Sequence, residues 1–260
     1  MKILTLFLAL VIATTGALAD PTPAPILDGG HDQPSTVPGI TIPNTHVVTE
    51  DKGMVLRGAQ PIGKEKELLK FGITDVLVFK KENKTEVTDE LATLVKLGIP
   101  KSRLTYVPFR WIELPEFKTA CQQTLTALDA LRKALLTKSR KAFFHCTYGE
   151  DRTGYLAGLL VMLQDGWSVE DAFQKALCEH GYEAGNPEKP DNVVEAIRSE
   201  MTQLFLRMAY LIEKGKVRPL VTYPYTLDPK VCLKDPGLTD ISFKKDPRFQ
   251  ASHYECKKPE

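Results

Sequence analysis

The chain has 260 residues, with 34 basic and 33 acidic side chains and a formal net charge of +1. This balance excludes a global field that would attract nucleic acid or an anionic membrane, so any anion must be recognised locally. Without the export signal predicted at residues 1–19, the remaining length suits one domain with extensions, since a typical domain has roughly 100 to 200 residues.

The N-terminus has the three parts of a secretory signal peptide. Lys2 precedes an apolar run at 3–13, and the small-residue triplet Ala-Leu-Ala follows at 17–19. The apolar run is shorter than the roughly 20 residues that cross a bilayer, which argues against a membrane anchor. The sequence therefore predicts cleavage before Asp20 and a soluble mature chain in the periplasm or outside the cell.

Strand-like and helical patterns alternate over 44–216, after a segment at 20–43 whose proline, glycine and small polar residues predict a flexible leader. The predicted strands are 46–48, 54–56, 75–79, 104–107 and 141–145, and the predicted helices are 65–70, 88–97, 116–136, 153–163, 169–180 and 192–214. Strands that alternate with helices and then give way to a run of helices predict an α/β fold. The expected architecture is a central mixed sheet flanked by helices in a single domain.

The cysteines and the C-terminal segment point to disulfide bonding. In an exported protein, five cysteines permit two disulfides and one free thiol, with the pairing left open. They are Cys121, Cys146, Cys178, Cys232 and Cys256. The segment 217–260 is rich in proline and has little helical period, which predicts an extended tail that its two cysteines attach to the domain.

The chemistry concentrates in residues 145–154, HCTYGEDRTG, between the strand 141–145 and the next helix. A strand, a short loop and a helix gather backbone N–H groups and the positive end of the helix around one point, which is an anion site. The same field lowers the pKa of a cysteine in the loop, so Cys146 is the predicted nucleophile. Arg152, near the first helical turn, is the predicted clamp on two phosphoryl oxygens.

The other loop residues have predicted supporting roles. Gly149 permits a positive φ, the Thr153 hydroxyl hydrogen-bonds the sulfur as it leaves, and His145 orients the loop. The predicted phosphate-binding residues are Thr147, Tyr148, Gly149, Glu150 and Arg152. No second cysteine or histidine lies at metal-ligand spacing from this loop, so neither a metal nor another cofactor is predicted.

The loop HCTYGEDRTG resembles the His-Cys-x5-Arg-Thr signature of the cysteine-dependent protein tyrosine phosphatase superfamily, above all its dual-specificity and phytase-like branches. The segments 56–61 (LRGAQP) and 68–79 (LLKFGITDVLVF) resemble the opening of compact members, and 165–172 resembles the turn that follows their loop. The resemblance covers about 47–181. It implies a protein tyrosine phosphatase-like fold, a thiophosphate intermediate on Cys146, and no metal or organic cofactor.

The resemblance also implies a general acid, which leaves three candidates. Such families usually take an aspartate from a loop about thirty residues before the cysteine, but 108–116 (PFRWIELPE) holds Glu113 and Glu116 instead. Asp151 is the rival, because some relatives use an aspartate immediately before the signature arginine, and a bound phosphate dianion favours its protonated form. Alternatively, Glu113 is a solvated loop residue, and Asp151 is a carboxylate that pairs with a basic residue.

Two classes of phosphoester substrate remain open. An inositol polyphosphate requires a basic pocket, for which Lys80, Lys81, Lys84 and Arg110 are candidates, whereas Glu150 and Asp151 make the cradle itself acidic. A phosphotyrosine peptide requires an aromatic wall, for which Tyr148 and Trp111 are available. Export favours a soluble ester, so a phytase-like phosphate monoester hydrolase is the first expectation.

A protein tyrosine or dual-specificity phosphatase is the first alternative to the phytase-like hypothesis. A non-catalytic phosphoryl-binding module is a second, although such a module typically lacks the cysteine or the arginine. A redox protein is a third, but the chain has no Cys-x-x-Cys pair. The predicted partners are a phosphorylated small molecule or a phosphopeptide, with no nucleic acid, no membrane after signal cleavage, and the oligomeric state open.

Overall fold

The computed structural model describes residues 33–183, 189–219 and 226–256. The predicted signal peptide and residues 20–32 of the predicted leader lie outside these ranges. Within them, no helix combines the length and the apolar character that a membrane span requires.

A five-stranded mixed sheet forms the centre of the fold. Its strands are β1 (His46–Glu50), β2 (Met54–Gly58), β3 (Asp75–Phe79), β4 (Leu104–Val107) and β5 (Lys141–His145). The order is β1-β2-β5-β3-β4, with β1 antiparallel to β2 and every other neighbouring pair parallel. All five residues of β3 are buried, as expected for a strand covered by helices on both faces. The predicted mixed α/β fold in one domain is confirmed.

The helices cover both faces of this sheet. They are α1 (Glu65–Phe71), α2 (Glu86–Lys96), α3 (Phe117–Leu135), α4 (Asp151–Asp165), α5 (Val169–Asp171), α6 (Asp191–Ala196), α7 (Gln203–Glu213), α8 (Pro236–Thr239) and α9 (Ile241–Lys245). Helix α5 continues as a π-helical stretch at Ala172–Leu177, and a second one at Ile197–Thr202 joins α6 to α7. Helix α4 begins two positions before the predicted 153, which places Arg152 inside its first turn.

Residues 33–43 correct the prediction of a flexible leader. Val37, Ile40 and Ile42 are buried and belong to a core cluster that includes Leu68 of α1 and Phe143 of β5. These three apolar side chains cover the face of the sheet next to α1, where burial of apolar surface offsets the entropy of ordering the chain. The described part of the segment is therefore packed.

The C-terminal segment 226–256 corrects the prediction of an extended tail. Three short helices begin at the proline of an Asp-Pro pair. The aspartates of these pairs cap the helices by accepting hydrogen bonds from N–H groups of the first turn; they are Asp228, Asp235 and Asp246. Phe243, Phe249 and Tyr254 are buried in the main core. Disulfides join Cys121 to Cys232 and Cys178 to Cys256, so the attachment of the tail through its two cysteines is confirmed.

The topology brings three strand ends to one edge of the sheet. Strand β5 lies between β2 and β3, and His145 at its end is opposite Gly58 and Val78. Because these three strands are parallel, the residues that follow each of them meet at the same edge. The cysteine loop, Gln60 after β2 and Lys80 after β3 therefore converge.

Candidate active site

The cysteine loop turns sharply between β5 and α4. Gly149 in this loop has a φ of +78°, and a Cβ at this position would lie 2.5 Å from the backbone of Gly58. Glycine is therefore required here both for the left-handed backbone and for the close approach to β2. Cys146, immediately after β5, is buried, and it is the free thiol of the chain because the other four cysteines form disulfides.

The backbone of the loop is held from outside through four consecutive carbonyl groups, those of residues 147–150. The N–H of Gln60 donates to the first at 3.0 Å, Asn44 Nδ2 to the second at 2.7 Å, and Arg57 Nη2 to the third and fourth at 2.8 and 3.3 Å. On the inner side, the Gly149 N–H donates to Cys146, as expected of an anion-binding nest whose carbonyls are bound on the outside.

Arg57 is the central outer support of the loop. Its side chain is 1% exposed, and its Nη1 also donates to the Ala176 carbonyl at 2.5 Å, which ties the loop to the helical stretch after α5. In the sequence, Arg57 and Gln60 stand out only as part of a segment of family resemblance, and Asn44 has no signal. Neither spacing nor periodicity shows that these residues contact a loop about 90 to 104 positions away.

The environment of Cys146 favours its thiolate form. Burial alone raises the pKa of the thiol, but the charge of Arg152 and two hydrogen-bond donors, the Thr153 hydroxyl and the Gly149 N–H, bring it below the ordinary value. The Thr153 hydroxyl is buried and makes no hydrogen bond to another oxygen or nitrogen of the described residues. It is therefore available to the sulfur, and its role when the sulfur departs stays a prediction.

Arg152 lies in the first turn of α4 and lines a cleft of about 410 Å³. Among the described residues its guanidinium donates to Thr147 Oγ1, at 3.2 Å, which leaves further N–H groups for an anion. The predicted basic residues Lys80, Lys81 and Lys84 line the same cleft, as do the apolar side chains of Trp111 and Ile62 and the carboxylates of Glu86 and Asp89. Arg110 and Tyr148 do not line it; Arg110 pairs with Glu113.

Lys189 neutralises the acidic residues of the loop. Its buried ammonium lies 2.9 Å from Glu150 Oε2 and 2.8 Å from Asp151 Oδ1, and it donates to the Gly181 carbonyl at 2.7 Å. Burial lowers the pKa of Lys189, but the two carboxylates raise it above its ordinary value. The predicted acidity of the cradle is thus compensated, by a residue that sequence analysis missed because it lies in a proline-rich segment beyond α5.

The three general-acid candidates occupy different environments. Asp151 lies in the first turn of α4 and raises the pKa of the Cys146 thiol by its charge, which places it near the nucleophile. Its Oδ1 accepts from the Lys189 ammonium at 2.8 Å and from the Glu183 N–H at 3.0 Å. The contact with Lys189 is the ion pair that the alternative interpretation of Asp151 predicts. Glu113 and Glu116 are exposed and do not line the cleft. The choice of the general acid stays a prediction.

Residues 110–170 match the model of the tyrosine phosphatase family. This segment of the chain is tyrosine phosphatase-like. It contains the loop with Glu113, helix α3, strand β5, the cysteine loop and helix α4, so the resemblance predicted from HCTYGEDRTG is confirmed and a phosphatase enzyme is supported. No protein of curated function matches the chain.

Several solved structures are similar to this chain at low sequence identity. They include P. aeruginosa TpbA, with 19% identity, a TM-score of 0.42 and coverage of 72% of this chain and 99% of that chain. Cydia pomonella PTP-2 phosphatase has 14% identity, a TM-score of 0.45 and coverage of 70% and 95%. The core catalytic domain of the PP-IP phosphatase SIW14 from S. cerevisiae has 21% identity, a TM-score of 0.41 and coverage of 61% and 85%.

Proposed function

We propose that this chain hydrolyses phosphate monoesters through a phosphocysteine intermediate on Cys146. The observation that carries the proposal is the loop 147–150, whose four carbonyls are bound from outside and whose Gly149 N–H donates to a thiol of lowered pKa. Arg152 adds a bidentate donor at the start of α4. A nucleophile and a preorganised anion cradle in one loop are what phosphoryl transfer to cysteine requires.

The proposed reaction has two displacements at phosphorus. The Cys146 sulfur forms a bond to phosphorus while the bond from phosphorus to the ester oxygen breaks, and Asp151 gives its proton to the leaving oxygen. Water then attacks the phosphocysteine and returns a proton to the Asp151 carboxylate, the S–P bond breaks, and inorganic phosphate and the thiolate are released. The Thr153 hydroxyl donates to the departing sulfur, and Arg152 holds the transferred oxygens throughout.

For the substrate we propose a soluble ester with several phosphates, of the inositol polyphosphate class. Lys80, Lys81 and Lys84 line one cleft with Arg152, so phosphates beyond the reacting one meet positive charge. Glu86 pairs with Lys80 at 3.2 Å and offsets part of this charge. The second candidate is a phosphotyrosine protein, which Trp111 and Ile62 in the same cleft favour because they offer apolar contact to an aromatic ring.

Phosphate release from inositol hexakisphosphate and from a phosphotyrosine peptide, by wild type and Cys146→Ser, tests this proposal. A higher kcat/KM for the inositol phosphate, lost in Cys146→Ser, supports the phytase-like function. Preference for the peptide moves the function to a protein phosphatase. Release from neither by a folded protein contradicts hydrolysis and favours a phosphoryl-binding module.

We also propose that the mature chain begins at Asp20 and acts in the periplasm or outside the cell. Two disulfides in a small domain support an oxidising compartment. Mass spectrometry of the exported protein tests this, because cleavage before Asp20 gives a defined mass. An intact N-terminus on the active protein contradicts it.

A further inference from the structure

A series of buried polar side chains runs behind the cysteine loop, and apart from Lys80, which also lines the substrate cleft, the reaction proposed above does not use it. In order, its members are His145, Glu90, Gln60 and Lys80, with exposed fractions of 0, 5, 9 and 5%. Glu90 Oε1 lies 2.7 Å from His145 Nε2, and Glu90 Oε2 lies 2.9 Å from Gln60 Nε2. Lys80 Nζ lies 3.1 Å from Gln60 Oε1. Glu90, on α2, is therefore the centre of the series.

The two ends of the series fix the positions of its hydrogens. The Lys80 ammonium donates to the Gln60 oxygen, so the Gln60 amide group donates to Glu90 Oε2. At the other end, His145 Nδ1 lies 2.7 Å from the Cys146 carbonyl oxygen, which is an acceptor, so Nδ1 carries a hydrogen. One proton remains for the bond between His145 Nε2 and Glu90 Oε1.

That remaining proton belongs to His145. Glu90 already accepts at its second oxygen, which favours the carboxylate, and a carboxylate opposite Nε2 favours the doubly protonated ring. Burial lowers the pKa of His145, but the charge and the hydrogen bond of Glu90 raise it above the ordinary value. Glu90 is the largest support of the imidazolium, followed by the carbonyl and the charge of Cys146, and the Nδ1–H of the ring points at that carbonyl.

We propose that Glu90 is a positioning residue of the candidate active site, which keeps His145 positively charged behind Cys146 and thereby keeps the nucleophile a thiolate. This inference rests on the proposed function, since it takes Cys146 as the nucleophile. The charge state of Cys146 is nevertheless measurable without any ester, because only the thiolate is alkylated at an appreciable rate.

Glu90→Gln isolates this effect. Glutamine has nearly the size of glutamate and hydrogen-bonds both neighbours, but it carries no charge to hold the imidazolium. The other charged groups that face Cys146 stay in place in this variant; they are Arg152 and Asp151 of α4, Arg57 of β2 and Lys80 after β3. A matched control is Asp75→Asn, which removes a buried carboxylate that pairs with Arg140 at the far end of β3.

The experiment is the rate of Cys146 alkylation by iodoacetamide against pH in the disulfide-bonded mature chain. We expect Glu90→Gln to raise the midpoint of this profile by about one pH unit, so that alkylation below the midpoint is roughly tenfold slower. Asp75→Asn keeps the wild-type midpoint. An unchanged midpoint in Glu90→Gln, or an equal shift in Asp75→Asn, overturns the proposal.

A second measurement uses the wild-type protein and does not depend on how a variant folds. The ¹⁵N chemical shifts of the His145 ring at neutral pH show both nitrogens protonated if the proposal holds, and a neutral imidazole overturns it. Failure of the proposed function is distinguishable from failure of this inference. If the wild-type protein releases phosphate from no ester, the proposed hydrolysis is contradicted. If the alkylation midpoint is nevertheless higher in Glu90→Gln than in wild type, the role of Glu90 is supported.

Discussion

At the scale of single residues, the candidate site depends on side chains that hold the cysteine loop from outside. Arg57 binds two loop carbonyls, and Lys189 binds the two loop carboxylates. Neither is in the signature segment 145–154. The signature therefore supplies the reacting groups, and residues from β2 and from the segment before α6 give them their geometry and charge.

Lys189→Met tests the electrostatic part of this support. The change leaves the buried Glu150 and the partly buried Asp151 without their cation, next to the thiolate and to the site of a phosphate dianion. We expect the inhibition constant of inorganic phosphate at neutral pH to rise about tenfold, since this corresponds to about 1.4 kcal/mol of lost attraction. Lys189→Arg keeps the charge and is expected to stay near wild type. Equal phosphate inhibition of wild type and Lys189→Met would contradict the role given to Lys189.

The general acid is identified by its dependence on the leaving group. An alkyl leaving group needs a proton as its bond to phosphorus breaks, whereas para-nitrophenolate leaves with little help. We expect Asp151→Asn to reduce kcat on an alkyl phosphate by about 10² to 10⁴-fold and on para-nitrophenyl phosphate much less. Glu113→Gln and Glu116→Gln are expected to show no such difference. A selective loss in Glu113→Gln instead would transfer the role to the loop before α3.

At the scale of elements, the strand and helix order follows from the sequence pattern, and the site follows from where the strands end. Strands β2, β3 and β5 all finish at one edge, so Gln60, Lys80 and Cys146 converge although 86 positions separate the first from the last. The signals for these strands are local runs of apolar and β-branched residues, so the positions of the strands can be predicted from the sequence. Which polar residues then meet across the edge depends on register and packing, which no local pattern contains.

The tail shows the same division between local and tertiary signals. Asp-Pro pairs start short helices at 229, 236 and 247, whereas the number of prolines in this segment predicts an extended chain. The sequence likewise predicts a leader at Val37, Ile40 and Ile42, because three apolar residues among prolines have no strand or helix period. The partners of Lys189 and Glu90 had no sequence signal at all, since each pairing is made by the fold.

The two disulfides are expected to differ in their effect on the site. Cys256 N–H donates to Glu183 Oε2 at 3.2 Å, and the Glu183 N–H holds Asp151, so the Cys178–Cys256 bond is connected to the cysteine loop. Replacing both cysteines of this pair with serine is expected to lower the free energy of unfolding by about 2 to 5 kcal/mol and to reduce kcat/KM. The same change at Cys121 and Cys232 is the control, with a similar loss of stability but with kcat/KM retained. Equal kcat/KM values for both double variants would contradict the connection.

At the scale of the whole molecule, acid is expected to destabilise the fold through two neighbouring histidines whose rings are tilted against each other. The rings of His46 and His180 lie 4.3 Å apart beside Arg57. Burial, and then the charge of Arg57, lowers the pKa of His46 from 6.5 to about 4, and burial, Arg57 and His46 lower that of His180 to about 3. The unfolded chain takes up these protons below pH 6.5 whereas the folded chain does not, so stability is complete above this pH and falls as the pH falls toward 4.

Thermal unfolding between pH 7.5 and 4 measures this loss, with His180→Gln as the test variant. The variant removes one titrating group and is expected to show a shallower fall of Tm with decreasing pH than wild type. An equal fall of Tm in both proteins would show that other groups, and not this pair, govern the acid sensitivity.

The most direct test of the central claim, that Cys146 carries the phosphoryl group during hydrolysis, is mass spectrometry of the protein quenched in acid during turnover of a phosphate monoester. We predict that the peptide containing Cys146 gains the mass of one phosphoryl group, and that Cys146→Ser shows neither this adduct nor phosphate release. Turnover by wild type without the adduct, together with retained turnover by Cys146→Ser, would contradict the claim.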